Sequence, residues 1–176
     1  MSTRSLGFIG SGRVATIFVG GWKQAGAMPD KVVAFDSNRD VAAKLRSSHP
    51  GIELGTLAEA AAQDIVFLAV HPPVVASVLP ELKPALKADS IVVSLAPKFT
   101  VAKLAEMLGG FVRIARMIPN APSIVGKGYN PTTFGEALGE QDRASLRGLF
   151  AGLGECVEVP EAHLEVYAVV SAIGLT

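Results

Sequence analysis

Residues 5–17 read SLGFIGSGRVATI. The stretch leaves an apolar run, Leu6–Ile9, crosses two glycines and enters a helical pattern over 14–24. At the junction, Gly10-Ser11-Gly12-Arg13-Val14-Ala15 is G-x-G-x-x-A. Each small residue has a mechanical reason. Gly10 permits a tight strand-to-helix turn, Gly12 lets a pyrophosphate approach the backbone, and Ala15 lets helix and strand pack closely. A helix opening here turns unpaired amide N–H groups and the positive end of its dipole towards phosphate. The motif is short, so its context decides between a dinucleotide cradle and a plain turn.

Outward from it, short apolar runs alternate with helical patterns. Strands are predicted at 6–9, 31–35, 65–70, 90–95, 112–117, 128–134 and 156–159. Helices are predicted at 14–24, 39–48, 74–86, 100–108, 141–153 and from 163 onward, with Pro80 and Pro84 as kinks or breaks in the third of these. A further short helix should start at Thr56-Leu57-Ala58-Glu59, a capping-box pattern. Strands that are apolar throughout are buried on both faces, and their alternation with helices implies parallel pairing through crossovers. The fold class is α/β, a doubly wound, mostly parallel sheet. The G-x-G-x-x-A motif then lies on the first strand and first helix, with a second strand at the spacing a dinucleotide fold requires.

Composition narrows the partners. Of 176 residues, 49% are hydrophobic and 18% charged, and 16 basic residues balance 16 acidic ones. That balance gives no electrostatic reason to expect nucleic acid or an anionic membrane. No apolar run reaches membrane-spanning length. The single cysteine, Cys156, forms no internal disulfide and belongs to no zinc-type cluster, so no metal is expected and Cys156 reads as a small strand hydrophobe. A cytoplasmic protein is expected.

The second strand ends at Phe35-Asp36-Ser37-Asn38-Arg39, where an adenosine ribose should lie. A carboxylate there accepts hydrogen bonds from the ribose hydroxyls and favours NAD. An Arg, helped by Ser and Asn donors, favours NADP. Asp36 serves the first role, Ser37, Asn38 and Arg39 the second. The balance leans to NADP, with NAD the alternative. The bland reading of Ser37 or Asn38 is a helix N-cap, compatible with either.

Three more strand ends should reach the same edge. FLAVHPP (67–73) brings Val70, His71 and Pro72 there; His71 is a candidate general acid or else a surface residue. SLAPK (94–98) brings Ala96 and Lys98, the latter a carboxylate ligand or a solvated side chain. RMIPNAP (116–122) brings Arg116, a carboxylate ligand or a tie between strands, and Asn120. Asn120 either bonds a carboxamide or substrate carboxylate, or holds an Asx-type turn. No catalytic dyad is visible, so no catalytic residue is assigned.

GFIGSGRVA, FLAVHPP and RMIPNAP, in this order and spacing, resemble pyrroline-5-carboxylate reductase. The likeness continues through Gly126-Lys127-Gly128 and 141–156 to the final VSAIGLT. It implies a Rossmann domain over 1–160 that binds NADP or NAD through Gly10, Ser11, Gly12, Arg13, Val14, Asp36, Ser37, Asn38, Arg39, Val70, His71, Pro72, Ala96 and Asn120. It also implies that 161–176 begin a C-terminal helical domain that interlocks with a second subunit, giving a homodimer or larger homo-oligomer. The implied reaction is hydride transfer to a cyclic imine, yielding proline. Asn120, Ser171 and Thr176 are the implied substrate contacts. The family usually has Lys at the position of His71, and a small Ala-Gly turn near Ala96-Pro97. It has a Ser-Gly-Ser-Gly-Pro-like stretch where this chain has Ser171-Ala172-Ile173-Gly174-Leu175-Thr176. Ile173 and Leu175 there point to a different or larger substrate. The apolar run 166–175 reads as the buried face of something larger, so the chain is expected to be part of a longer one. Competing readings are a dehydrogenase of a keto acid or of prephenate or arogenate, which shares the first motif, and a dinucleotide-binding module without turnover.

Overall fold

The structure, a computed structural model, describes residues 4–173, with side chains through residue 169. The strands are β1 (Leu6–Ile9), β2 (Val32–Phe35), β3 (Glu53–Leu54), β4 (Ile65–Leu68), β5 (Ile91–Ser94), β6 (Ile114–Met117), β7 (Gly128–Tyr129), β8 (Thr132–Phe134) and β9 (Gly154–Glu155). The helices are α1 (Arg13–Gln24), α2 (Arg39–Ser48), α3 (Leu57–Ala61), α4 (Pro72–Leu82), α5 (Val101–Met107), α6 (Glu140–Phe150) and α7 (Glu161–Ile173).

Seven strands form one sheet in the order β3-β2-β1-β4-β5-β6-β8, parallel except for the antiparallel pair β6–β8. The first six follow the 3-2-1-4-5-6 order of the Rossmann fold, and the direction of winding reverses between β1 and β4. The expected doubly wound α/β sheet is the one observed.

Alternate residues of the central strands feed two cores. Leu6 and Phe8 of β1 and Ile65 and Phe67 of β4 face the α1 side. Ile9, Val66 and Leu68 face the α4–α5 side. Burial on both faces is why these strands read as unbroken apolar runs. On the α1 side, Phe8 stacks on Phe67 with ring centroids 4.9 Å apart, and Phe18 meets both edge-on. The buried indole of Trp22 donates through Nε1 to the Leu149 carbonyl at 2.8 Å, which ties α1 to α6.

Several boundaries shift for identifiable reasons. The helix expected from 74 begins at Pro72, because Pro72 and Pro73 occupy its first two positions, where their missing N–H groups would be unpaired anyway. Pro80 is accommodated inside α4, which gives way to a 3₁₀ turn at Lys83–Ala85. The strand expected at 128–134 divides into β7 and β8 at Pro131, and the strand expected at 156–159 is replaced by β9 and one isolated bridge. These segments run side by side in a single parallel register, Gly128 with Gly154, Tyr129 with Glu155 and Thr132 with Glu158. The backbone bonds continue on either side of Pro131, from Asn130 N to the Glu155 carbonyl and from Thr132 N to the Val157 carbonyl, each at 2.8 Å. The capping box appears as read: the Thr56 hydroxyl accepts from Glu59 N, and the Glu59 carboxylate accepts from Thr56 N.

Candidate functional site

The carboxyl ends of β1, β2, β4, β5 and β6 share one edge of the sheet, and ligands of open α/β sheets lie outside that edge at the reversal point. Gly10 ends β1 with φ +99°, a left-handed conformation that favours glycine. A Cβ at this position would lie 2.6 Å from the Ala69 carbonyl oxygen at the end of β4. Gly12 is the residue before α1, and a Cβ there would meet nothing within 4 Å. The space beside it is open to a ligand.

Five helices begin at this edge, each following a parallel strand, and the third, α3, is closed by its Thr56–Glu59 capping box. Asn38 caps α2 by accepting from Asp40 N, and Thr100 caps α5 by accepting from Lys103 N. Helix α4 opens with two prolines and so lacks two of its first amides. Helix α1 opens at Gly12 with no side-chain cap and no acidic residue in its first turn. Among the described residues, α1 is therefore the edge helix whose first amides are present and uncapped. Unsatisfied helix amides are where anions bind. The residues thus fit a pyrophosphate at Gly10–Val14, with Arg13 exposed beside it and Val14 packed against the core.

A cavity of about 270 Å³ adjoins this loop. Ile9, Gly10, Phe35, Asp36 and Ser37 form one wall, Leu57 another, and Val70, Val74, Ser77, Val78 and Glu81 the third. It lies on the β2 side of the reversal, and its lining is mostly apolar, with Asp36, Ser37, Ser77 and Glu81 as its polar side chains. Its α4 residues were missed by motif reasoning. Their signal was present as 74, 77, 78 and 81, one face of a helix at i, i+3, i+4 and i+7.

Asp36 is turned towards the glycine loop. Its Oδ2 accepts from Ser11 N at 2.8 Å and its Oδ1 from Asn38 N at 2.9 Å. The carboxylate clasps β1's turn to β2's turn, and only its remaining lone pairs are left for a ribose. Ser37 lines the cavity, Asn38 is the α2 cap, and Arg39 is exposed at the first position of α2. Ser11 is buried and its Oγ has no partner.

The other strand ends arrive as expected at the edge. Val70 lines the cavity, His71 is exposed at the N-cap of α4, and Pro72 is its first residue. Ala96 is buried in the α4–α5 core. Asn120 accepts through Oδ1 from Tyr129 N at 3.2 Å and from Ser123 Oγ at 3.4 Å, which is the turn-holding role. With its acceptor so occupied, a ligand would be met by its amide donors. Arg116 does not face a ligand. It is buried and bonded to Glu161 and Glu165 of α7. Lys98 is exposed. Cys156 is half-buried, its Sγ is 3.3 Å from Thr132 Oγ, and burial pushes its thiol pKa up. The side chain of Ser171, and Thr176 altogether, lie outside the described residues.

A family described as NADP oxidoreductase, coenzyme F420-dependent, matches residues 5–98, more than half of the sequence. The chain belongs to this family. The match to the NADP oxidoreductase family covers the glycine loop, the Asp36 clasp and the strand ends through β5. Among individual proteins, the chain is 32% identical to pyrroline-5-carboxylate reductase 3 of Bos taurus, over 98% of this chain and 56% of that protein. It is 32% identical to pyrroline-5-carboxylate reductase of Escherichia coli, over 90% of this chain and 60% of that one. The pyrroline-5-carboxylate reductase structure from Coxiella burnetii matches with a TM-score of 0.86 and 27% identity, over 97% of this chain and 64% of that chain. The Plasmodium falciparum pyrroline carboxylate reductase structure with NADP bound shares the fold, with a TM-score of 0.85 at 23% identity, over 99% of this chain and 64% of that one. The likeness read from the three motifs is thus found over nearly the whole chain. The chain spans less than two thirds of the length of these relatives.

Proposed function

We infer that this chain is the nucleotide-binding part of an NADP-dependent reductase that transfers hydride to a cyclic imine of the pyrroline-5-carboxylate type, in proline biosynthesis. The observation that carries the reading is the uncapped start of α1 at Gly12, open to a ligand and next to the cavity at the reversal point. The similarity to pyrroline-5-carboxylate reductases supports the substrate class, and the family supports NADP.

In this reading the amides of Arg13 and Val14 hold the pyrophosphate, and Asp36 keeps the loop in shape by fixing Ser11 N. The cavity from Asp36 and Ser37 to Val78 takes the adenosine half. Ser37, the start of α2 and Arg39 receive the 2′-phosphate. With Asp36 engaged by two amides, its charge is partly satisfied before any ligand arrives, which lowers its repulsion of that phosphate. The bound reduced nicotinamide supplies the hydride. His71 at the start of α4 and the Asn120 amide border the other half of the edge, where they orient the ring and the substrate.

Residues 161 onward then open a helical domain that pairs with a second copy. Val166 and Val169 of α7, 60% and 58% exposed, support this. No helix among the described residues is long and apolar enough to cross a membrane; we place the protein in the cytoplasm.

Titration calorimetry with NADPH and NADH, followed by oxidation of NADPH in the presence of 1-pyrroline-5-carboxylate, tests the proposal. Tighter binding of NADPH and substrate-dependent oxidation are expected. Absence of binding by either nucleotide removes the cofactor site. Binding of NADPH without turnover, in a chain extended to the length of its relatives, assigns the module reading instead.

A further inference from the structure

The cavity beside Gly10 takes up the β1–β2–β4 side of the edge, so the nicotinamide half of a dinucleotide extends towards β5 and β6. The loop that leaves β5 contains Lys98, whose φ is +72°. Among the described residues it is the one non-glycine in that region. A side chain held there is strained, and such strain persists only where neighbouring structure imposes it.

The imposing group comes from α7. The Glu165 carboxylate accepts from Lys98 N through Oε1 at 3.0 Å and through Oε2 at 3.1 Å. One turn earlier, Glu161 Oε1 accepts from Val101 N at 2.7 Å, at the first residue of α5. Both carboxylates are gathered by Arg116 of β6. Its Nη1 lies 2.9 Å from Glu161 Oε1 and its Nη2 2.6 Å from Glu165 Oε1. Arg116 is 1% exposed and its Nε has no partner, so these two carboxylates are what balance a buried cation. Removing one leaves the charge poorly compensated, which couples the two contacts to one another.

We propose that Glu165 and Arg116 are positioning residues: through them α7 fixes the strained Lys98 loop, and so the rim that receives the nicotinamide half of the cofactor. The inference rests on the nucleotide site described above. It gives the helix after the Rossmann sheet a part in that site besides association. It also explains why an Arg at the end of β6 faces away from any ligand. The cofactor pocket is then complete only while α7 is docked.

The test compares two ligands on the whole chain. NADPH reaches both halves of the edge, whereas 2′,5′-ADP reaches only the adenosine half. Glu165→Ala should weaken NADPH by about tenfold, the scale of one charge-assisted hydrogen bond, and leave 2′,5′-ADP within about twofold. Glu165→Gln, which keeps an acceptor oxygen and the side-chain volume, should fall between wild type and the alanine variant, and serves where the latter does not fold. Amide exchange at Lys98 should accelerate in both variants. Equal losses for the two ligands, no loss for NADPH, or unchanged protection of the Lys98 amide would each overturn the latch. A wild-type chain that binds neither ligand shows a different failure, that of the nucleotide site itself.

Discussion

Gly10 and Gly12 are two residues apart and obey different constraints. At Gly10 the backbone itself needs glycine, because φ is +99° and a Cβ would press on the Ala69 carbonyl. Gly10→Ala should therefore lower stability by about 2 kcal/mol or more, read as a lower denaturation midpoint. At Gly12 nothing in the protein opposes a side chain. Gly12→Val should leave the midpoint close to wild type and abolish NADPH binding by calorimetry, since the valine would fill pyrophosphate space. A stable variant with unchanged affinity would remove this loop from the site. Asp36 gives a third outcome. Its carboxylate binds the Ser11 and Asn38 amides, so Asp36→Ser should weaken NADPH and NADH together, while costing about 1–2 kcal/mol of stability. A clean shift of preference towards NADPH with no stability loss would return Asp36 to a ribose-reading role. The glycine motif was legible in the sequence because it encodes a backbone conformation. The side-chain direction of Asp36 was not, because a carboxylate at that strand end can turn to a sugar or to the loop, and only packing decides.

At the scale of elements, the strands buried on both faces announced themselves as apolar runs, and Asn38, Thr56 and Thr100 marked helix starts by their capping chemistry. What the pattern hid were elements held by tertiary partners. Strand β3 is two exposed residues, Glu53 and Leu54, which pair only because β2 offers a free edge. The Arg116 network was equally hidden, since its partners lie 45 and 49 residues away along the chain. A similar long-range tie sets the acid response of the sheet's amino edge. Asp64, just before β4, accepts from Ser5 N and Ser5 Oγ, each at 2.9 Å, and from Lys87 Nζ at 2.8 Å. The Lys87 ammonium first, then the Ser5 donors, hold its carboxyl at about 2 against an ordinary 3.8. A folded-state pKa below the unfolded one means stabilisation that is present above pH 3.8 and lost as pH falls towards about 2. Because the Asp64 side chain is 41% exposed, solvent screening keeps the effect below about 1 kcal/mol. Asp64→Asn should therefore cost little at neutral pH and flatten the loss of stability between those two values, measured by urea denaturation at stepped pH. An identical acid profile for variant and wild type would mean that other carboxylates govern it.

Across the whole molecule, one sheet serves both stability and binding. Its middle joins the two cores, and its carboxyl edge carries the candidate site. Phe67 belongs to the middle, where it is buried, stacks on Phe8 and meets Phe18 edge-on. It is nevertheless close in sequence to Val70 and His71, which belong to the edge. Phe67→Ala should cost about 3–5 kcal/mol, the range for emptying an aromatic site in a core that cannot collapse. The fully buried Trp22, 5.9 Å from the Phe67 ring, reports that loss through its fluorescence as the chain unfolds. If core and edge are separable, the Phe67→Ala chain, kept well below its lowered midpoint, binds NADPH within about threefold of wild type, as expected for sites with no shared partners. Gly12→Val shows the reverse, full stability and no binding. A Phe67→Ala chain that remains folded by Trp22 fluorescence yet loses the nucleotide would show that the aromatic core sets the geometry of the edge. The site would then be a property of the packed sheet as a whole rather than of the loops that line it.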